Sequence, residues 1–233
     1  LCPAHADDTL PGGYGQFPWG TSMEAIKKVH KKVKPYAQAE PILTEQLALD
    51  RLHKDAKAKA KAAGKKAYRA FKKQGRVDSR ISATRHWIDF TGLSGRIQMH
   101  FFDGELYEVH VHILYRRKER KSAGQILNVL VEKYGDPTKP LGEAEAKVPV
   151  NRRMSLHFEL GDGDLQVLRT RSKGKSRGMI RLHYRSDSLG LEVEEHLSAL
   201  RDEVRIIDEA LAQLKARKKA SKPSKTKKLW NQL

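Results

Sequence analysis

The sequence predicts an α+β fold: an antiparallel sheet built from two helix-plus-β-meander units with helices on one face, a projecting basic helix and a C-terminal heptad helix. Three observations predict it. Apolar and polar residues alternate with period two on both sides of Asp103-Gly104, which is typical of a β-hairpin. The order of one helix and three strands occurs twice, which indicates a duplicated unit. A last stretch has strict heptad spacing.

The central hairpin depends on the parity of its loop. A two-residue loop, Asp103-Gly104, would set Met99 opposite Glu108 and mix the two faces of the sheet. A three-residue loop that also includes Phe102 keeps the apolar residues together and gives Gly104 the left-handed position. The residues expected on the shared apolar face are Ile97, Met99, Val109 and Val111.

Two helices are expected before the hairpin. The first begins at Met23 with Thr21 or Ser22 as its N-cap and ends before Pro35. The second begins near Pro41 and ends at Gly75, and it becomes rich in Ala and Lys. Such a helix would be long for a domain of this size, so it either projects or breaks into two at Gly64.

The remaining elements follow the same logic. Residues 81–90 contain a strand, residues 123–134 form a helix that Gly135 and Pro137 terminate, and three strands fall within 154–184. The C-terminal helix either packs along the sheet and the other helices or forms a homodimer through the 193–214 seam. The seam residues are Val193, Leu197, Leu200, Val204, Ile207, Leu211 and Leu214.

The positive charge is confined to two segments. The net charge is +18, residues 51–76 hold eleven Lys/Arg and one acid, and residues 215–228 hold eight Lys/Arg and no acid. The rest of the chain is therefore neutral, and an anionic partner should meet these segments. The residues predicted to bind the anion or partner are Lys57, Lys59, Lys61, Lys65, Lys66, Arg69, Lys72, Lys73, Lys218 and Lys219.

The first residues indicate export. Residues 1–6 resemble the end of a signal peptide, with Ala4-His5-Ala6 as its cleavage site, and lipidation of Cys2 is the weaker alternative. The predicted organisation is an α+β domain over 7–190 with a basic helical insertion at about 40–76. An amphipathic helix over 191–214 and a basic disordered tail over 215–233 follow it.

Histidines are the candidate metal ligands. His110 and His112 are spaced i, i+2 and so share one face of a strand, which suits zinc or copper. The alternative is a polar outer face that uses histidine without a metal, and that could gain charge below pH 6.5. The nearest acids, Glu108 and Glu159, are expected to be scattered, and no cysteine contributes.

Catalytic signatures are absent from the sequence: no G-x-S-x-G, H-E-x-x-H, Walker A or Rossmann glycine pattern occurs. We therefore expect a protein that is not an enzyme and that uses no cofactor. The leading hypothesis is an envelope scaffold or binding module that contacts an anionic envelope polymer or lipid, or an acidic protein. The alternatives are a nucleic-acid-binding protein and a metal-binding protein.

Four short motifs are present: Trp19-Gly20-Thr21-Ser22, the hairpin over 101–111, the helix end over 130–137 and the strand over 182–186. They resemble those of small exported bacterial α+β domains, periplasmic proteins or lipoproteins mostly of unknown function. The first unit is also loosely similar to the BamE/SmpA outer-membrane assembly lipoproteins. This resemblance implies a fold and a compartment, and it carries no catalytic residues. The segments 40–76 and 191–233 depart from it.

Overall fold

The computed structural model describes residues 13–90, 93–137, 155–171 and 177–220. The strands are β1 (Gly13–Tyr14), β2 (Phe17–Pro18), β3 (Lys34–Pro35), β4 (Ile81–Phe90), β5 (Leu93–Phe102), β6 (Glu105–Arg116), β7 (Ser155–Glu159), β8 (Asp164–Arg171) and β9 (Arg177–Arg185). The α-helices are α1 (Met23–Val29), α2 (Glu40–Ala62), α3 (Lys65–Gln74), α4 (Arg120–Tyr134) and α5 (Asp187–Ala220).

The chain divides into two compact units. Of the described residues, 13–43 and 80–194 belong to the first unit, and 44–79 and 195–220 belong to the second, each with the gaps given above. The prediction of a signal-peptide remnant at 1–6 lies outside the described residues. The tail was predicted to be disordered over 215–233, but residues 215–220 belong to helix α5, and the rest of the tail lies outside the described residues.

A seven-stranded antiparallel sheet forms the first unit, in the order β3-β4-β5-β6-β9-β8-β7. Beside the edge strand β3, it consists of two meanders, β4-β5-β6 and β7-β8-β9, and the third strand of each meander pairs with the third strand of the other. Helix α1 precedes the first meander and α4 precedes the second. The predicted α+β fold of two helix-plus-meander units is confirmed.

The core lies between one face of this sheet and the helices α1 and α4. Ser22 caps α1, because its Oγ accepts a hydrogen bond from the Ala25 backbone N–H (3.2 Å). Ile26 on α1 and Leu127 on α4 are completely buried. They belong to one apolar cluster with residues of five strands: Ile97, Met99, Phe101, Val109, Val111, Ile113, Phe158, Leu165, Val167, Ile180 and Leu182.

The central hairpin keeps its faces apart in a different way from the one predicted. Its loop has two residues, because Phe102 pairs with Glu105, so the predicted three-residue loop is wrong. A bulge compensates for this loop. Tyr107 is the extra residue of β6 between the pairs Phe101–Leu106 and His100–Glu108.

The bulge restores the parity that the apolar pattern requires. Met99 lies opposite Val109 and Ile97 opposite Val111. These four residues therefore share the apolar face, as the alternation predicts. The ring of Tyr107 lies 6.2 Å from that of His100, on the polar face. Two residues with positive φ, Asp103 at 50° and Gly104 at 86°, form the tight turn.

The second unit contains a helical hairpin. The predicted break at Gly64 occurs, and Gly75 follows the end of α3. Helix α3 folds back along α2, because the Phe71 ring lies 4.9 Å from that of His53. The same chain reversal brings Arg76 Nη1 to 3.4 Å from Asp50 Oδ1.

Helices α2 and α5 contact each other within the second unit. Glu45 is 1% exposed, and its Oε1 lies 2.7 Å from His196 Nε2. Further toward the C-terminus of both helices than Glu45 and His196, Arg51 forms an ion pair with Asp208. These two polar contacts join residues about 150 positions apart in the chain.

The heptad seam of α5 is buried in its first part only. Val193, Leu197 and Leu200 are buried, whereas Leu214 is 53% exposed. The three seam residues between them are half-buried: Val204, Ile207 and Leu211. The buried part agrees with packing inside the chain, and the homodimer through the 193–214 seam stays a prediction.

Among the described residues, no helix is both apolar enough and long enough to cross a bilayer.

One histidine lies on the apolar face of the sheet. His86 pairs with Ile97 across β4 and β5, and it is 7% exposed. Its ring stacks on that of His30 at 5.2 Å, and neither of its ring nitrogens has a hydrogen-bond partner among the described residues. Burial, with a smaller contribution from His30, lowers the pKa of His86 below its ordinary 6.5.

The substitution Gly104→Ala is expected to lower the free energy of unfolding by about 1–2 kcal/mol, because a side chain with Cβ is strained at a φ of 86°. No atom lies within 4 Å of the added Cβ, so the loss comes from backbone strain alone. Urea unfolding measures it. Gly104→Asn is the control and should lose less, since Asn tolerates this conformation; equal losses would contradict the turn geometry.

The substitution His86→Phe is expected to flatten the pH dependence of stability. In the wild type, the unfolded chain binds a proton at His86 below pH 6.5, whereas the folded chain binds it only at lower pH. The free energy of unfolding therefore decreases as the pH falls through 6.5, because proton binding at His86 stabilises the unfolded chain more than the folded one. Thermal unfolding between pH 7.5 and 5.5 should show a smaller decrease of Tm in the variant, and an unchanged decrease would be inconsistent with the buried neutral ring.

Candidate functional site

The polar face of the sheet collects residues from all six meander strands into rows. The register places Gln98, His110 and His183 side by side on β5, β6 and β9, and Gln166 and His157 continue the row on β8 and β7. Cross-strand neighbours on one face lie within side-chain reach of one another. His110, His183 and His157 therefore share one surface.

A buried carboxylate lies at the centre of this face. Glu108 Oε1 accepts a hydrogen bond from His183 Nε2 at 2.6 Å. Glu108 Oε2 lies 2.7 Å from His100 Nδ1 and 3.2 Å from His110 Nε2. These last two contacts have the distance of an ion pair but not the alignment of a hydrogen bond. We call these four residues the His–Glu cluster.

The rings of the His–Glu cluster are packed against one another. The centroid of His110 lies 4.8 Å from that of His100 and 4.5 Å from that of His183. His100 is 4% exposed and Glu108 is 9% exposed. The cluster is thus a compact group of imidazoles around one carboxylate, in which His100 and Glu108 are buried and the side chains of His110 and His183 are each 30% exposed.

Charge and burial act in opposite directions on these groups. Burial alone would raise the pKa of the Glu108 carboxyl, but contacts with the imidazoles of His100, His110 and His183 outweigh it and hold the pKa well below its usual range. Burial lowers the pKa of His110, and the nearby Glu108 opposes this only in part. The cluster therefore holds a carboxylate beside a neutral imidazole near pH 7.

The second predicted ligand, His112, has a different environment. Its Nδ1 lies 3.1 Å from Arg96 Nη2, and its ring centroid lies 6.3 Å from that of His110. Burial and the positive charge of Arg96 lower the pKa of His112 to about 4. A neighbouring guanidinium disfavours a bound cation at this position, so the structure separates His112 from the His–Glu cluster.

His100 and Glu108 lie beside His110 in the structure, but the sequence did not identify them as ligands. The acids were expected to be scattered, yet Glu108 lies among three histidines, whereas Glu159 is exposed at the end of β7. The sequence could indicate this contact only through the pairing of His100 with Glu108 across the hairpin, and that pairing depends on the bulge at Tyr107. The register predicted from a three-residue loop without a bulge would place Gln98, and not His100, opposite Glu108.

The basic residues predicted to bind an anion lie on α2, α3 and α5. Within the described side chains, all eight on α2 and α3 are exposed: Lys57, Lys59, Lys61, Lys65, Lys66, Arg69, Lys72 and Lys73. Lys218 and Lys219 belong to the last turn of α5, and their side chains lie outside the described set. Only Lys59 of the eight forms an ion pair with a described acid, Asp55 at 2.7 Å.

Helix α3 has two chemically different sides. Tyr68 and Phe71 are half-buried and their rings lie 6.4 Å apart. Lys72 Nζ lies 5.2 Å from the centroid of Tyr68, and Lys61 Nζ of α2 lies 5.6 Å from it. The aromatic rings are therefore occupied by contacts within the helical hairpin, and the exposed surface of α3 is almost entirely cationic.

Comparison of the chain with protein-family models, with curated proteins and with solved structures gives no match.

The substitution Glu108→Gln is expected to lower the free energy of unfolding by about 1–3 kcal/mol, because it leaves buried imidazoles beside an uncharged amide. Chemical denaturation measures the change. Glu159→Gln is the matched control on an exposed site and should change stability by less than about 0.5 kcal/mol. Similar losses in the two variants would show that the carboxylate of Glu108 does not stabilise the cluster.

Proposed function

We propose that this protein is a non-enzymatic binding module of the cell envelope that contacts an anionic surface through its basic helical hairpin. One observation carries the proposal. The five cations of α3 are all exposed, and none forms an ion pair with an acid among the described residues: Lys65, Lys66, Arg69, Lys72 and Lys73.

The spacing of these cations suits a flat partner. Lys65, Arg69 and Lys72 are spaced by four and then three residues. Lys66, Arg69 and Lys73 are spaced by three and then four. Residues three or four apart are neighbours on a helix surface, so the five cations follow one side of α3. Several ammonium groups on one side can approach phosphate groups of a lipid surface together. Each is worth about 1 kcal/mol near an anionic membrane surface.

An envelope surface is favoured over nucleic acid by the chemistry of α3. Single-stranded nucleic acid is usually bound with aromatic rings on which bases stack, but Tyr68 and Phe71 are half-buried in the hairpin. Lysine outnumbers arginine four to one in α3, and Lys acts as a point charge without bidentate base recognition. The motifs that resemble exported envelope proteins support the same compartment.

The sheet has a different role in this proposal. It acts as a scaffold whose apolar face is covered by α1 and α4. The second, nucleic-acid hypothesis remains as the outcome that would replace the surface contact. Anionic envelope polymers and acidic proteins carry the same kind of charge as an anionic lipid surface.

Four substitutions on α3 are expected to weaken binding of the full chain to phosphatidylglycerol-containing vesicles by about 100-fold or more, because four surface contacts are lost together. Vesicle co-sedimentation at several salt concentrations measures the affinity. Lys72 is left intact because it contacts Tyr68. The substitutions are Lys65→Gln, Lys66→Gln, Arg69→Gln and Lys73→Gln.

The control removes the same charge elsewhere. Four exposed lysines at and after the end of α1 are replaced together, and this variant should bind vesicles nearly as well as the wild type. Equal losses in the two variants would contradict a localised contact. Tighter retention of duplex DNA than of vesicles, with a steep salt dependence, would favour the nucleic-acid hypothesis. The control substitutions are Lys27→Gln, Lys28→Gln, Lys31→Gln and Lys32→Gln.

A further inference from the structure

We infer that His100, Glu108 and His110 form a binding site for a divalent transition-metal ion such as Zn²⁺. This site is independent of the anionic contact, because it uses the polar face of the sheet and none of the basic residues. Two imidazoles and one carboxylate are a common ligand set for zinc and for other first-row metals. All three side chains lie on the adjacent strands β5 and β6.

The ligand atoms are close enough to share one ion. One atom from each of the three side chains lies within 4.8 Å of the others. Glu108 Oε2 is 2.7 Å from His100 Nδ1 and 3.2 Å from His110 Nε2. Ligands of a tetrahedral zinc ion are about 3.3 Å apart, given bonds of about 2.0–2.1 Å. Small side-chain rotations would therefore admit the ion.

A second observation also points to a ligand. His100 is 4% exposed, and neither of its ring nitrogens makes an aligned hydrogen bond with any described residue. The same is true of Nε2 of His110. Buried polar atoms without hydrogen bonds are unusual in folded proteins. A metal ion would bind the lone pairs of His100 Nδ1 and His110 Nε2 and so give two of these three buried atoms a partner.

His183 supplies the support that metal ligands usually have. Its Nε2 donates a hydrogen bond to Glu108 Oε1, the carboxylate oxygen that the other two histidines do not approach. This contact orients Glu108 so that Oε2 faces His100 and His110. Such outer contacts typically change metal affinity by about 10–100-fold. His183 is therefore a positioning residue.

The chemistry of the ligands selects the class of metal. Mg²⁺ and Ca²⁺ prefer oxygen ligands, often several carboxylates and carbonyls, whereas this cluster offers two nitrogens and one carboxylate. Imidazole ligands suit Zn²⁺, Cu²⁺, Ni²⁺ and Fe²⁺. The i, i+2 pair His110 and His112 would be the other histidine site on this strand, but Arg96 lies against His112. If the three-residue site binds the ion, replacing His112 should leave the metal affinity nearly unchanged. If the i, i+2 pair binds it, the same replacement should weaken binding.

Titration of the full chain with Zn²⁺ in a calorimeter tests the inference. The wild type should bind one equivalent, with an affinity tighter than about 100 µM. His100→Gln and His110→Gln should each weaken binding by at least about 100-fold, the loss expected on removal of one of three ligands. His183→Gln should weaken it by about 10–100-fold while one equivalent is still bound. Circular dichroism shows whether each variant is folded.

His112→Gln is the matched control, since it removes a histidine from the same strand and face. It should change the affinity less than threefold, as should His157→Gln on β7. Long-range ¹H–¹⁵N spectra of the imidazoles add an atomic readout that a structural role would not produce. Zn²⁺ should shift Nδ1 of His100 and Nε2 of His110 as ligands.

Three results would overturn the inference. The first is no Zn²⁺ binding by the folded wild type at about 100 µM free metal. The second is an equal loss of affinity in His112→Gln and His110→Gln, which would instead identify the i, i+2 pair. The third is displacement of Zn²⁺ by a large excess of Mg²⁺, which would show that the imidazoles do not bind the ion.

Discussion

The one-residue bulge at Tyr107 is the constraint on which the rest of the sheet depends. The tight Asp103-Gly104 turn by itself would set Met99 opposite Glu108 and mix core and polar residues. A shift of one residue moves every later side chain of a strand to the other face. The bulge cancels the shift, so it returns Val109 to the core and leaves Glu108 on the polar face beside His100.

The pairing of the two third strands extends this order across the second meander. Strand β9 lies beside β6, which places Leu182 opposite Val111 in the core and His183 opposite His110 on the polar face. The same hydrogen-bonded ladder thus builds the apolar cluster and the His–Glu cluster. A polar face is ordinary for an antiparallel sheet, but a buried carboxylate among three imidazoles requires this exact register.

The positive charge is arranged by a separate and more local principle. The Lys/Ala-rich segment breaks at Gly64, and α3 returns along α2 with its aromatic residues inward. An amphipathic helix can bury one side and leave the other side charged. The cations of α3 therefore remain exposed without compensating acids among the described residues, where an anionic surface could meet them.

The sequence by itself determined the features that depend on near neighbours. The alternation of the strands and the segregation of charge were predicted, and the cap at Ser22 and the helix break at Gly64 were each one of two predicted alternatives. Each follows from hydrogen bonds, φ angles or periodicity within a few residues. Tertiary structure decided the bulge at Tyr107, the partners of Glu108 and how much of the α5 seam is buried. His183 and Glu108 are 75 residues apart in the chain, and no local pattern specifies which strands pair or which side chains then meet.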